Sequence, residues 1–293
     1  MNSFARSDLA SECTPTGSVD GVRQSRAEIG GCQLIRTHVR TEAAAAALGK
    51  PCGRYVTLCC GSIGQLEGRS FENACRVLSV EVRELAEQMT HRRIGRDFSV
   101  LVVGLGNGDM TPDAIGPATV RTLTVTRHLQ GVHLSPLAPL GLCEIAALAP
   151  GTSGQTGLEL AELVRGTVQV THPDLVLAVD ALAAREASRL AAAVQLTDTG
   201  IHPGSGVGAA RCALNKDTVG VPVLAIGVPT VVETSTLLFD LMEAALQDTA
   251  ITARCAALLS DGRGLLVAPG DIDLLVAASA QLLAAAIEKA FSN

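Results

Sequence analysis

Two uninterrupted apolar runs constrain the fold of this chain more than any other feature of its sequence. Residues Val100–Gly104 (VLVVG) and Leu175–Val179 (LVLAV) are apolar at every position. Such runs are typical of strands buried on both faces, as in a parallel sheet covered by helices. Phe71–Met89 and Ile272–Phe291 have the pattern of helices. The sequence therefore predicts an α/β fold with a mostly parallel central sheet flanked by helices.

Shorter patterns predict the remaining elements. No internal repeat and no long linker interrupts the chain, so we expect one α/β domain with an N-terminal elaboration and irregular structure before residue 30. The predicted strands are Tyr55–Leu58, Val194–Thr197 and Val221–Gly227, and the predicted helices begin near Pro112 and cover Ala181–Ala193 and Thr234–Leu246.

Composition excludes several classes of protein. The net charge is -6 and only 2% of the residues are aromatic, which argues against nucleic acid as a partner. The longest terminal apolar stretch, Leu274–Ile287, is too short and too broken to span a membrane, and no signal peptide is evident. None of the nine cysteines forms a Cys-x-x-Cys pair. We therefore expect a cytoplasmic protein with no membrane partner, no metal and no cofactor.

The loop after Val100–Gly104 is the first candidate site. It reads GLGNGDMTPD, and it fails the dinucleotide-binding fingerprint because Asp109 occupies the position of the third glycine. Asp113 is a candidate catalytic acid, with Gly106 and Asn107 as supporting residues. The alternative is that Thr111 caps a helix and Asp113 only stabilises the start of that helix.

Asp180 is the second candidate. It directly follows Leu175–Val179, so we expect it at the end of a strand and partly desolvated. Capping of a following helix is the alternative. If Asp113 and Asp180 share a crevice, one carboxyl can act as an acid and the other as a base, which suits activation of water. A pair of carboxylates can also bind a divalent cation.

A glycine-rich segment is the third candidate. It begins with an Asp-Thr-Gly triplet, which we attribute to chance because pepsin-like proteases are all-β. Its glycines offer backbone N–H groups to a ligand, and its histidine is a candidate proton donor or metal ligand, although a histidine bonded to loop backbone is equally expected. The candidate residues in this segment are Asp198, His202, Gly204 and Gly206.

Taken together, these motifs resemble the germination protease family of spore-forming bacteria. The resemblance is carried by GLGNGDMTPDAIGP, ALAPGTSGQTG, PDLVLAVDALAAR, QLTDTGIHPGSGVG and PVLAIGVPTVVE. It implies an α/β fold similar to hydrogenase-maturation endopeptidases, assembled as a homotetramer. It also implies an atypical aspartic endopeptidase of the spore core that degrades small acid-soluble spore proteins at germination. Asp113 and Asp180 match the two proposed catalytic aspartates of the family.

The resemblance further implies an inactive precursor that trims its own N-terminus. Arg6–Glu12 resembles the processing region of the family, which places the cut between Asp8 and Leu9. Residues 1–8 would then be a propeptide, and residues 9–293 the single α/β peptidase domain, with its N-terminal elaboration at 9–95. Leu9–Glu12 is also similar to the site that the family cleaves in spore proteins, so one active site would recognise both. We expect this polar segment to be a mobile strand.

Two other functions fit the same residues. In a metal-dependent maturation endopeptidase, Asp113, Asp180 and His202 would hold a cation. In a protein without catalytic activity, the glycine-rich loops would bind a peptide or a small anion. Metal content distinguishes the first, and survival of function in Asp180→Asn distinguishes the second.

Overall fold

A computed structural model describes residues 7–13, 19–129, 143–202, 212–238, 241 and 265–292. The strands are β1 (Val22–Ile29), β2 (Cys32–Val39), β3 (Gly53–Cys59), β4 (Ser99–Gly104), β5 (Glu144–Leu148), β6 (Leu175–Ala184), β7 (Ala193–Thr197), β8 (Val223–Glu233) and β9 (Leu266–Val267). The helices are α1 (Ala10–Cys13), α2 (Glu42–Leu48), α3 (Gly68–Thr90), α4 (Ile115–Thr122), α5 (Ser153–Thr156), α6 (Leu160–Thr171), α7 (Lys216–Val219) and α8 (Ile272–Ala290). Short 3₁₀ helices cover Ile63–Gln65, Thr111–Asp113, Arg127–Leu129 and Ala187–Arg189.

The described strands form one mixed sheet in the order β1-β2-β3-β7-β8-β6-β4-β5, with β9 paired to β8. Strands β8, β6, β4 and β5 are parallel to one another, whereas β1, β2, β3 and β7 pair antiparallel with their neighbours. The α/β class is confirmed, but the prediction of a mostly parallel sheet is wrong. Only residues 185–192 connect β6 to β7. This link is shorter than the crossover that joins parallel strands, and β7 instead runs antiparallel beside β8.

The prediction of a helix over Ala181–Ala193 is also wrong. Strand β6 continues to Ala184, because Ala181–Ala184 pair with the second half of β8. Beyond it, only Ala187–Arg189 form one 3₁₀ turn. Alanine favours helices locally, but pairing with a buried strand outweighs that preference.

Most of the other predicted elements are confirmed, with shifted ends. The predicted helix Phe71–Met89 lies within α3, and α4 begins at Ile115 instead of Pro112. Residues 234–238 are helical, as predicted, while most of the rest of that predicted helix lies outside the described residues. The expectation of irregular structure before residue 30 is wrong for residues 22–29, which form β1.

Helices cover both faces of the sheet. On one face, α3, α4 and α8 pack through a large apolar cluster that includes Leu78, Ile115 and Leu283. The rings of Phe98 and Phe291 stack in this cluster, with centroids 5.9 Å apart. On the other face, α6 packs through Val164 and neighbouring residues. Within the described parts of the chain, the helices lack the combination of length and apolar character needed to cross a bilayer.

Candidate active site

The loop after β4 holds the carboxylate of Asp113 in place. The backbone N–H of Asn107 donates a 2.7 Å hydrogen bond to Oδ2 of Asp113, and the amide of Asp113 donates to the carbonyl of Met110 at 2.8 Å. Gly106 has a φ of 104°, and a Cβ there would lie 2.0 Å from the carbonyl oxygen of Asp113. The tight turn therefore needs glycine at position 106.

Thr111 is not the N-cap of a helix, although the sequence allows that role. Thr111–Asp113 form a single 3₁₀ turn, and α4 follows with Ala114 at its N-cap. Since the carboxylate of Asp113 turns back to the amide of Asn107, it is part of the loop structure and not only a charge at a helix terminus.

A second loop braces the first. The side-chain amide of Gln155 donates to Oδ1 of Asn107 at 3.1 Å and to Oδ2 of Asp109 at 3.4 Å. Its oxygen accepts a 3.0 Å hydrogen bond from the amide of Thr152. Gln155 thus links the turn after β5 to the residue that contacts Asp113. Gln155 is not among the residues predicted from the sequence, although it lies in the motif ALAPGTSGQTG.

Asp180 lies inside β6 and not at the end of a strand, because β6 continues for four more residues. Its side chain is only 7% exposed, which confirms the expected desolvation, and Oδ1 accepts a 2.9 Å hydrogen bond from the amide of Ala181. It caps no helix in the described structure, since a strand follows it.

The topology brings the two aspartates to the same end of the parallel strands. Gly104, the last residue of β4, pairs with Val179, and the amide of Leu105 donates to the carbonyl of Val179 at 2.8 Å. The loop that carries Asp113 therefore leaves β4 beside Asp180. This arrangement follows the general rule that ligands bind at the carboxyl ends of parallel strands.

The other predicted residues lie apart from this pair. Oδ1 of Asp198 accepts a 2.7 Å hydrogen bond from the amide of Arg54, at the start of β3. From the pairing of β7 with β8, Asp198 lies about 10 Å along the strands from the level of Asp180. His202 is exposed and follows an isolated bridge between Ile201 and Leu214. Gly204 and Gly206 lie outside the described residues.

The predicted processing segment is anchored and not a mobile strand. The amide of Asp8 donates to the carbonyl of Ala183 at 2.8 Å, and the amide of Ala183 donates to Oδ2 of Asp8 at 2.8 Å. Leu9 is completely buried in a cluster with Leu182, Ala184, Ala193 and Val232. Burial of Leu9 and pairing with β6 supply the anchor that local sequence does not show.

Glu12 holds the other end of this segment. Its carboxylate accepts hydrogen bonds from the amides of Arg185 and Glu186, at 2.8 and 3.1 Å, and from the hydroxyl of Ser7. Burial raises the pKa of Glu12 above its ordinary value, against the opposing effect of these hydrogen bonds. Lys50 adds a 2.9 Å hydrogen bond to the carbonyl of Ser7.

Gln195, on β7, is a further contact that the sequence analysis missed. Its amide nitrogen donates to the carbonyl of Asp8 at 2.7 Å, and its oxygen accepts from the amide of Ala10 at 2.6 Å. The only signal in the sequence is a long polar side chain within the short apolar strand VQLT.

The described residues include no group of three or more His, Cys, Asp or Glu side chains placed to hold a metal ion. The expectation that no metal is bound stays a prediction.

Fold and site together define an α/β protein in which a buried acid on a parallel strand lies beside an acid-bearing loop at the carboxyl end of the neighbouring strand, with a peptide segment bonded to the same strand. A family model described as "Germination protease" matches residues 4–254. The chain belongs to the germination protease family.

Individual relatives carry the same name. The chain is 41% identical over 247 residues to the germination protease of Bacillus subtilis, which covers 81% of this chain and 66% of the relative. It is 42% identical over 226 residues to that of a Geobacillus species (77% and 59%), and 40% identical over 216 residues to that of Clostridium perfringens (74% and 64%). The chain thus spans about three fifths to two thirds of the length of these relatives.

Proposed function

We propose that this protein is an endopeptidase that starts the degradation of small acid-soluble spore proteins during germination. Membership of the germination protease family supports the reaction and its setting. The proposed location is the spore core, within the cytoplasm, and no cofactor takes part.

One observation carries the proposal. A buried carboxyl group, Asp180, lies on a parallel strand directly beside the loop that fixes the carboxylate of Asp113. The loop that carries Asp113 leaves the carboxyl end of β4, where such folds bind their ligands, and Asp180 lies beside it.

The proposed chemistry uses the two carboxyl groups in different protonation states. In the proposed site the two carboxyl groups share one crevice, where both cannot easily be ionised at once, so one keeps its proton while the other is charged. The ionised group takes a proton from a water molecule while the oxygen of that water attacks the peptide carbonyl carbon. The protonated group gives its proton to the leaving amine. The two groups titrate as a pair, so the acid and base roles belong to the pair and not to one named aspartate.

The same site is proposed to remove residues 1–8 by cutting between Asp8 and Leu9. In support, the main chain of Asp8 is bonded to Ala183, three residues beyond Asp180 on the same strand. The segment is therefore bonded to the same strand as Asp180, about 10 Å along it, before any substrate arrives.

The proposal extends to assembly and ancestry. The active form is a homotetramer, and the fold is related to hydrogenase-maturation endopeptidases. Sedimentation velocity measures the first, with a mass near 30 kDa contradicting it. Superposition on a crystal structure of such an endopeptidase tests the second.

The decisive experiment replaces each aspartate with its amide. Asp113→Asn and Asp180→Asn should each lower hydrolysis of a peptide containing Ser-Asp-Leu-Ala-Ser-Glu by about 10²–10⁴-fold, since a positioned acid or base contributes that much. Asp217→Asn, at an exposed position in α7, is the matched control and should cleave normally. Near-normal turnover by either folded active-site variant contradicts the assignment.

Chelation distinguishes the metal-dependent alternative. We expect hydrolysis to survive exhaustive treatment with EDTA. Loss of activity that a single added metal ion restores would instead favour a site in which Asp113, Asp180 and His202 hold a cation.

A further inference from the structure

We propose that Gln195 positions the peptide backbone across the bond that is cut. The inference rests on the proposed function, and it adds a residue that recognises the main chain of the substrate and not its side chains. A second carboxamide, that of Gln155, contacts the catalytic loop and not the peptide segment, so the two have different roles.

Gln195 makes two hydrogen bonds to the main chain of the peptide segment. Its nitrogen donates to the carbonyl of Asp8, which belongs to the peptide bond proposed to be cut. Its oxygen accepts from the amide of Ala10, the second residue after that bond. One side-chain amide therefore binds the main chain on both sides of Leu9. These two bonds set the position of the peptide bond between Asp8 and Leu9 relative to β7.

Gln195 lies level with Asp180 across the sheet. Gln195 pairs with Gly227 on β8, and Gly227 pairs with Asp180 on β6. Residues paired across a sheet point their side chains to the same face. Gln195 and Asp180 therefore lie in one row, two strand spacings or about 10 Å apart, with a residue that lacks a side chain between them.

The peptide segment around Asp8 contacts both of the strands that carry Asp180 and Gln195. Asp8 is bonded to Ala183 on β6 and at the same time to Gln195 on β7. Since β8 lies between these two strands, the two bonds of residue 8 together span the width of β8. They do so on the face to which Asp180 points, next to the row that contains the proposed acid.

The side-chain amide of Gln195 is buried. Gln195 is only 6% exposed, so its amide group needs partners within the protein. Both amide atoms find them on the peptide segment. A substrate that replaces this segment can bond to both amide atoms of Gln195 only if it presents a carbonyl and an N–H at the same spacing. Gln195 therefore selects a peptide whose main-chain groups are free to form hydrogen bonds, and it holds that peptide in one register.

The experiment compares two variants of the full chain. Gln195→Glu keeps an oxygen for the amide of Ala10 but cannot donate to the carbonyl of Asp8, whereas Gln195→Met keeps the length and makes neither bond. We expect the rate constant for loss of residues 1–8 to fall at least tenfold in Gln195→Glu and about a hundredfold in Gln195→Met. Gln169→Glu, the same change at an exposed site in α6, is the matched control. Melting curves verify that each variant is folded.

A pair of peptides separates positioning from a merely structural role. One peptide contains Ser-Asp-Leu-Ala-Ser-Glu, and the other carries an N-methyl group on its alanine, which removes the N–H that Gln195 would bind. We expect N-methylation to lower kcat/KM about tenfold for the wild type and to have little effect on Gln195→Met.

The outcomes separate this inference from the proposed function. If the wild type cleaves neither itself nor the peptide, the proposed function is wrong and the inference is wrong with it. If the wild type is active, the inference alone is overturned by folded variants that trim at the wild-type rate. An equal N-methyl penalty in the wild type and in Gln195→Met overturns it as well, and this test applies even where the variants trim slowly because the segment has come loose.

Discussion

The backbone N–H of Asn107 lies 2.7 Å from Oδ2 of Asp113, so the orientation of one proposed catalytic carboxylate is set by a turn of the main chain. The turn depends on Gly106, where a side chain would meet the carbonyl of Asp113. Backbone geometry at residue 106 and the chemistry proposed for residue 113 are therefore linked.

Replacement of Gly106 by alanine tests this link. The Cβ would lie 2.0 Å from the carbonyl oxygen of Asp113, and the φ of 104° is unfavourable for alanine. We expect the loop to shift and peptide hydrolysis to fall about a hundredfold, because small displacements of catalytic groups have effects of this size. Gly49→Ala is the control, since Gly49 also has a positive φ but a Cβ there would meet no atom within 4 Å. Equal activity of the two variants contradicts the role of Gly106.

Self-processing tests the anchoring of Leu9. We expect the full chain to lose residues 1–8 without a second protease, and Leu9→Lys to block the cut, because it places a charge in a completely buried apolar cluster. Asn2→Ala should have no effect, and Asp180→Asn should stay full length. Mass spectrometry of the N-terminus at several pH values measures this. A wild type that remains intact at every pH, or an Asp180→Asn protein trimmed equally well, contradicts the prediction.

Glu12 should make stability depend on pH. Burial raises its pKa above the ordinary value of 4.5, so the folded chain binds this proton more tightly than the unfolded chain. The stabilising contribution of the protonated group is fully present below pH 4.5 and is lost as the pH rises through the raised pKa. We expect Glu12→Gln to gain free energy of unfolding relative to the wild type over this rise. Urea unfolding between about pH 4 and 8 measures the difference, and Glu28→Gln on β1 is an exposed control. A difference that does not change with pH would rule out the effect.

The stacked pair Phe98 and Phe291 should contribute strongly to stability. Both rings are almost completely buried, and the carbonyl of Phe291 also accepts a 3.0 Å hydrogen bond from the amide of Cys143. We expect Phe291→Ala to lower the free energy of unfolding by about 3–5 kcal/mol. Leu274→Ala, at a position in α8 that is 71% exposed, should change it by less than about 0.5 kcal/mol. Similar losses in the two variants, measured by urea unfolding, would show that burial of Phe291 is not the cause.

Elements whose signal lies in consecutive residues were predictable from the sequence, and elements that depend on distant partners were not. The apolar runs before Gly104 and Asp180 predicted β4 and the first half of β6, because burial on both faces leaves a pattern in consecutive residues. The alanines after Asp180 were misassigned to a helix. Their pairing partners lie on β8, about fifty residues further along the chain, and a local pattern holds no trace of them.

The sequence by itself determined the α/β class and the family, and it singled out the two acids that are proposed to be catalytic, since each depends on residue types and short spacings along the chain. Only the tertiary structure decided that the sheet is mixed, that Asp180 lies inside a strand, and that the segment around Leu9 is fixed. It alone joined Gln195 to Asp8 and Glu12 to Arg185, pairs separated by 187 and 173 residues. The physical reason is that hydrogen bonds and burial act between groups that are close in space, and which groups become close is settled only when the strands pair.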